Sequence, residues 1–123
     1  MTQQEKLLFN EEGFLVIEPF LTQKEVQYYS EIYNDFLNNK FDNSELRSDL
    51  SGANDQSIEF ITQIMLPSKV YPILLNQPMH EKATEIAKCL MGDDMVLDFD
   101  MLINKPPNTN KQTPWHQDAA YWI

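Results

Sequence analysis

A chain of 123 residues, 42% of them hydrophobic and 11% aromatic, is one domain's worth and can bury a sizeable core. Its net charge of −10 and isoelectric point near 4.4 repel polyphosphates, which argues against nucleic-acid binding by the whole chain but leaves room for a local anion pocket. The single cysteine, Cys89, excludes an internal disulfide and a thiolate metal site; with no basic leader and no apolar window of membrane-spanning length, the expected address is the cytoplasm, away from membranes.

Glu5 to Glu12 predicts a short helix with Gly13 at its C-cap. Phe14-Leu15-Val16-Ile17 then reads as a buried strand ended by Pro19. Thr22 with Glu25 is a capping box, and Val26, Tyr29, Tyr33, Phe36 and Leu37 recur at helical spacing, which predicts a helix over Gln23 to Asn38. A ligand-stacking role for those tyrosines is the alternative to core packing. Asn39 to Ser57 is polar and reads as a long loop, either a surface excursion or the rim of a site. Ile58 to Ile64 is apolar enough for a strand, though it does not alternate cleanly.

Ser68 is placed to cap a short helix through Leu75, and Pro78 suits the first turn of the next. In that second helix Met79, Ala83, Ile86, Ala87, Leu90 and Met91 form one apolar stripe closed by Gly92, and Cys89 reads as a small core residue. His80, in its first turn, is a candidate metal ligand or a solvated or locally hydrogen-bonded side chain. After an Asp93-Asp94 turn, Met95 to Ile103 predicts a strand that points Leu97, Phe99, Met101 and Ile103 one way and Val96, Asp98, Asp100 and Leu102 the other. Asp98 and Asp100 invite an acid–base reading, but no histidine or arginine is near them in sequence, so a solvated or loop-capping face is preferred. Pro106-Pro107 ends the strand, and Asn108 to Lys111 loop round to the last segment.

That segment, Thr113 to Trp122, holds the chain's chemistry. If it is extended, period-2 alternation puts His116 and Asp118 on one face, so an imidazole and a carboxylate converge. The pair is two-thirds of a 2-His-1-carboxylate site for non-haem Fe(II). With 19 acidic residues in 123, a His-x-acid pair also arises readily by chance, so its neighbourhood matters.

Met101-Leu102-Ile103-Asn104-Lys105-Pro106-Pro107 together with Pro114-Trp115-His116-Gln117-Asp118 resembles the phytanoyl-CoA dioxygenase family of Fe(II)/2-oxoglutarate oxygenases, and Gly13 to Leu21 is similar to the way that family commonly begins. The resemblance implies an α+β fold, with N-terminal helices packed on part of a double-stranded β-helix of the jelly-roll or cupin kind. It implies a dioxygenase that couples oxidative decarboxylation of 2-oxoglutarate to hydroxylation of a small organic substrate by O₂. His116 and Asp118 match the family's iron ligands, and Met101 matches a cofactor-contacting methionine. Gln117 lies between the ligands and would touch the cofactor. Lys105 is similar in placement to a lysine that pairs with a 2-oxoglutarate carboxylate, although a lysine beside two prolines is also an ordinary solvated side chain. Gln63 is the candidate for a polar residue that reaches 2-oxoglutarate. Halogenating relatives replace the carboxylate ligand with a small residue, so a retained Asp118 implies hydroxylation.

In this family the second histidine ligand and the arginine that clamps the distal carboxylate follow well downstream of the His-x-Asp motif. The chain stops at Ile123, so the expectation is that residues 1–123 form a single domain that is the N-terminal part of an oxygenase, incomplete at its C-terminus, weak in iron binding and inactive alone. Tyr121, Trp122 and Ile123 would then leave an exposed, association-prone edge. Two other classes stand beside this one: a cupin-like small-molecule binding module, and a metal-dependent hydrolase or isomerase that uses the same two ligands without 2-oxoglutarate.

Overall fold

Capping boxes start the first two helices in a computed structural model that describes residues 1–51, 59–109 and 112–120. In α1 (Gln3–Glu12) the Glu5 carboxylate accepts from the Thr2 N–H at 2.6 Å and Thr2 Oγ1 accepts from the Glu5 N–H at 3.2 Å. Thr22 and Glu25 repeat the arrangement at the start of α2 (Gln23–Leu37), with Asn38 as its C-cap. Each box satisfies orphan N–H groups locally, which is why both starts are legible in sequence. Gly13 closes α1 at φ 78°, a left-handed conformation that costs a residue without Cβ little.

The expected buried strand at Phe14-Leu15-Val16-Ile17 does not form. Phe14 is 62% exposed and Val16 70% exposed. An extended apolar run becomes a strand only where another strand answers its N–H and C=O groups, and none of the described strands pairs with it.

Three short strands, β1 (Arg47–Asp49), β2 (Thr62–Met65) and β3 (Met101–Asn104), form an antiparallel sheet in the order β1-β2-β3. Ile64 stands opposite Arg47 on one side and Leu102 on the other, and Gln63 stands opposite Ile103. Thr62 and Ile64 therefore share a face with Leu102 and Asn104, whereas Gln63 and Met65 share the opposite face with Met101 and Ile103. The first face is covered. Phe36 from α2, Ile64 and Leu74 make a small core, joined by Tyr29, Ile32, Phe41, Tyr71 and Leu102, and Phe36 and Ile64 are completely buried. The tyrosine Tyr33 reaches the same face, its hydroxyl donating to Asn104 Oδ1 at 2.6 Å. Helices against one face of a small antiparallel sheet make the fold α+β.

β1 lies inside the stretch expected to be a loop, and two side chains explain it. The Arg47 guanidinium donates to the Phe36 and Leu37 carbonyls at 3.3 and 3.1 Å, capping the C-terminus of α2, and grips Glu59 in a bidentate pair at 2.9 and 2.7 Å. Asp49 accepts from the N–H groups of Ser51, Phe60 and Ile61 at 2.8 to 3.2 Å. Those hydrogen bonds, the Ser51 N–H foremost, hold its carboxyl down from 3.8 to about 2. Such long-range anchors leave no periodic trace. The rest of that expected loop, Gly52 to Ser57, and Ile58 lie outside the described residues; the following strand begins at Thr62, not Ile58.

The strand expected over Met95 to Ile103 is paired only from Met101, because β2 has four residues and the chain leaves it at Leu66, whose φ of 53° turns it into α3 (Pro67–Val70). Ser68 does not cap that helix. Its hydroxyl and N–H are directed at Asp100 instead. A 3-10 turn over Pro72–Asn76 leads to α4 (Pro78–Met91), which opens on Pro78 and stops at Gly92 as expected. The apolar stripe of α4 is at most half-buried, and Cys89 is exposed, not a core residue, because its neighbours Met1, Glu5, Ile17 and Ile86 leave an open cleft of about 260 Å³ rather than a packed layer. No helix of the described residues is long and apolar enough to cross a membrane.

Phe36→Ala should lower the unfolding free energy by about 3–5 kcal/mol in urea titration, whereas Val26→Ala, from the same predicted stripe but 43% exposed, should change it by less than about 0.5 kcal/mol. Asp49's contribution is complete above its ordinary pKa and vanishes as pH falls through its folded value. The stability gap between the native protein and Asp49→Asn should accordingly be constant near neutrality and close between about pH 4 and about pH 2.

Candidate functional site

The open face of the sheet carries two of the residues expected to touch a cofactor. Gln63 and Met101 sit on adjacent strands, and the Gln63 amide nitrogen donates to Met101 Sδ at 3.1 Å and to Met65 Sδ at 2.7 Å. Thioether sulfurs are weak acceptors, so the amide has donors available for a better partner. Lys105 follows β3 directly and is exposed, as is Gln117.

The segment expected to be a strand around His116 is not one. Residues 112–117 run without regular structure, and Asp118–Ala120 is a 3-10 turn. The two side chains nevertheless meet, His116 Nε2 lying 3.2 Å from Asp118 Oδ1. His116 Nδ1 is 2.8 Å from the Pro114 carbonyl oxygen, which can only accept, so Nδ1 is the donor in that hydrogen bond and Nε2 is the nitrogen that faces Asp118. Two donors at right angles on one metal, each about 2.1 Å from it, stand about 3 Å apart, so the pair fits adjacent coordination positions. A hydrogen bond from the far ring nitrogen to a backbone carbonyl is also how metal-bound histidines are held. Among the described residues, no third histidine, cysteine or acid completes a metal-binding group. Tyr121, Trp122 and Ile123 lie outside the described residues.

His80 and Asp100 form a second polar group that the sequence separated by twenty positions. His80 Nε2 meets Asp100 Oδ2 at 3.1 Å, with side chains only 14% and 12% exposed. The other Asp100 oxygen accepts from Ser68 Oγ at 2.8 Å. Asp100 thus has the histidine partner that its sequence neighbourhood lacks; of the expected solvated or loop-capping face, the solvated reading fails for Asp100, whereas its hold on the Ser68 N–H and hydroxyl is a capping role. Asp98 remains exposed. The only sequence hint was a histidine beside the apolar stripe of α4. His80 also lines a pocket of about 450 Å³ between α2, α4 and β3, whose walls include Tyr29, Tyr33, Leu74, Met79 and Leu102. The Tyr29 hydroxyl accepts from the Met79 N–H and the Tyr33 hydroxyl donates to Asn104, so both tyrosines brace α2 against its neighbours.

Residues 9–123 match the family model for phytanoyl-CoA dioxygenase. The chain belongs to the phytanoyl-CoA dioxygenase family. It is 28% identical over 134 residues to the peroxisomal phytanoyl-CoA dioxygenase of Bos taurus, an alignment covering 99% of this chain and 38% of that protein, so the chain spans well under half the length of this relative. No solved structure matches it. Membership in a dioxygenase family spans the Gln63–Met101 face and the His116–Asp118 pair alike, since both fall inside the matched residues.

Asp100→Ala would leave the His80 and Ser68 donors buried without an acceptor and should cost about 1–3 kcal/mol in chemical unfolding, whereas Asp98→Ala should be neutral within about 0.5 kcal/mol.

Proposed function

We propose that this chain carries part of the active site of an Fe(II)- and 2-oxoglutarate-dependent dioxygenase that hydroxylates a small organic substrate with O₂. The observation that carries this reading is the His116–Asp118 pair, a nitrogen and an oxygen donor held 3.2 Å apart in a chain of dioxygenase family. His116 Nε2 and Asp118 Oδ1 would hold the metal, with the Pro114 carbonyl fixing the imidazole through Nδ1. Bound there, iron supplies the activation of O₂ and the oxidation of 2-oxoglutarate to succinate and CO₂ that drives hydroxylation of a substrate C–H. We read the three strands as part of a double-stranded β-helix.

The protein's own groups have defined tasks in this scheme. Gln63 would exchange its weak thioether acceptors for a 2-oxoglutarate carboxylate oxygen, a charge-assisted and stronger bond. Met101 supplies an apolar wall beside it, and Lys105 a cation for the other end of the acid. Gln117, between the two ligands in sequence, would contact the same acid. A carboxylate at position 118 occupies the coordination position a halide would need, which favours hydroxylation.

The test is 2-oxoglutarate-dependent succinate release by the intact protein supplied with Fe(II). His116→Ala and Asp118→Ala should each reduce it at least about 100-fold. Gln63→Leu should raise the half-saturating 2-oxoglutarate concentration about tenfold. Undiminished succinate release from His116→Ala would refute the assignment. A protein that prefers Zn(II) and ignores 2-oxoglutarate would instead be the hydrolase or isomerase.

A further inference from the structure

The strand that carries Met101 is fastened at both ends by polar side chains. At its far end Tyr33 from α2 donates to Asn104, just before Lys105. At its near end Asp100, the residue before Met101, is held through every acceptor it owns. Its carbonyl takes the Leu66 N–H at 2.9 Å, its Oδ1 takes Ser68 Oγ at 2.8 Å, and its Oδ2 takes the Ser68 N–H at 3.2 Å and His80 Nε2 at 3.1 Å. Leu66 is the residue after Met65, and it stands in the left-handed region at φ 53°, a conformation that a branched side chain adopts only when its surroundings hold it. One residue therefore joins the place where β2 ends to the place where β3 begins, its carbonyl taking the Leu66 N–H and its carboxylate holding Ser68 and His80. Those two places bear Met65 and Met101, the pair of sulfurs that receive the Gln63 amide.

We propose that His80 and Asp100 are positioning residues for the open sheet face: the α4 imidazole, through the Asp100 carboxylate, sets the spacing of Met65 and Met101 and so the direction in which Gln63 presents its amide. His80 does this from the helix side of the sheet, through its contact with Asp100. The geometry dictates which feature of the side chain matters. Asp100 accepts, so Nε2 must donate, and Nδ1 is buried with no partner among the described residues. A glutamine, whose amide nitrogen occupies a position close to that of Nε2, should replace the histidine; a leucine of similar bulk should not. The consequence for 2-oxoglutarate rests on the oxygenase reading above, but the positioning itself does not.

Methionine methyl resonances of the intact protein, labelled with ¹³C at the methyl, read the Met65–Met101 pair directly. His80→Leu should move both resonances, His80→Gln should return them to their native places, and Tyr33→Phe, which removes a helix-to-sheet hydrogen bond of similar kind at the other end of β3, should leave them still. Asp100→Asn weakens the same contact without opening a cavity and should move them as His80→Leu does, which keeps the test available if the leucine variant does not fold. In succinate release His80→Leu should raise the half-saturating 2-oxoglutarate concentration about tenfold while kcat changes less than about twofold. Unmoved methyl resonances in Asp100→Asn or in folded His80→Leu would overturn the proposal, as would equal movement in Tyr33→Phe. Resonances that answer to His80 but not to added 2-oxoglutarate would keep the positioning role and remove the cofactor assignment of the face.

Discussion

Phe36 against Ile64 is the contact on which the rest of this structure hangs. It joins α2 to the middle strand, and these are the two large side chains among the described residues that are completely sealed from water. Because the core is so small, polar anchors at its edge do a large part of the organising. Arg47 ties the end of α2 to β1 and Glu59, Tyr33 ties its middle to β3, and Lys82 of α4 reaches Glu25 and the Phe20 carbonyl. Each of these fixes a direction that a handful of apolar contacts would leave free.

One face of the sheet is spent on that core, and the consequence is functional. Alternation along β2 and β3 sends Ile64 and Leu102 to the helices and delivers Gln63, Met65, Met101 and Ile103 to the other side. That side is apolar with a single amide in its midst, whose donors rest on sulfur. A surface of this composition suits a small acid whose carboxylate needs directed hydrogen bonds and whose methylenes need an apolar wall. The His116–Asp118 pair adds a nitrogen and an oxygen donor 3.2 Å apart, with the imidazole hydrogen-bonded to a backbone carbonyl through its other nitrogen.

Helix starts and stops could be read from sequence because their determinants are local: Thr2 with Glu5, Thr22 with Glu25, Pro78, Gly13 and Gly92 each act within one turn of chain. Strands were less legible. Phe14 to Ile17 has a better strand composition than Arg47-Ser48-Asp49, yet the second is paired and the first is not, because pairing depends on a partner that composition does not name. Of the candidate site residues, His116 and Asp118 were singled out by residue type and spacing, Gln63 and Met101 by the family resemblance. The contact between Gln63 and Met101 across 38 positions was legible in neither way.

What the sequence determined by itself was the inventory: capped helices, an apolar face for each, an acidic chain without thiolate chemistry, and a histidine and aspartate two positions apart in a family pattern. Tertiary structure alone decided which apolar stripe is buried, that Asp100 takes His80 as its partner while Asp98 faces water, and that His116 and Asp118 meet through a turn instead of along a strand. The reason is range. Capping and alternation are set by bonds between near neighbours in the chain, whereas burial, ion pairing and the closing of a donor pair depend on which distant segment arrives, and that is settled only when the whole chain packs.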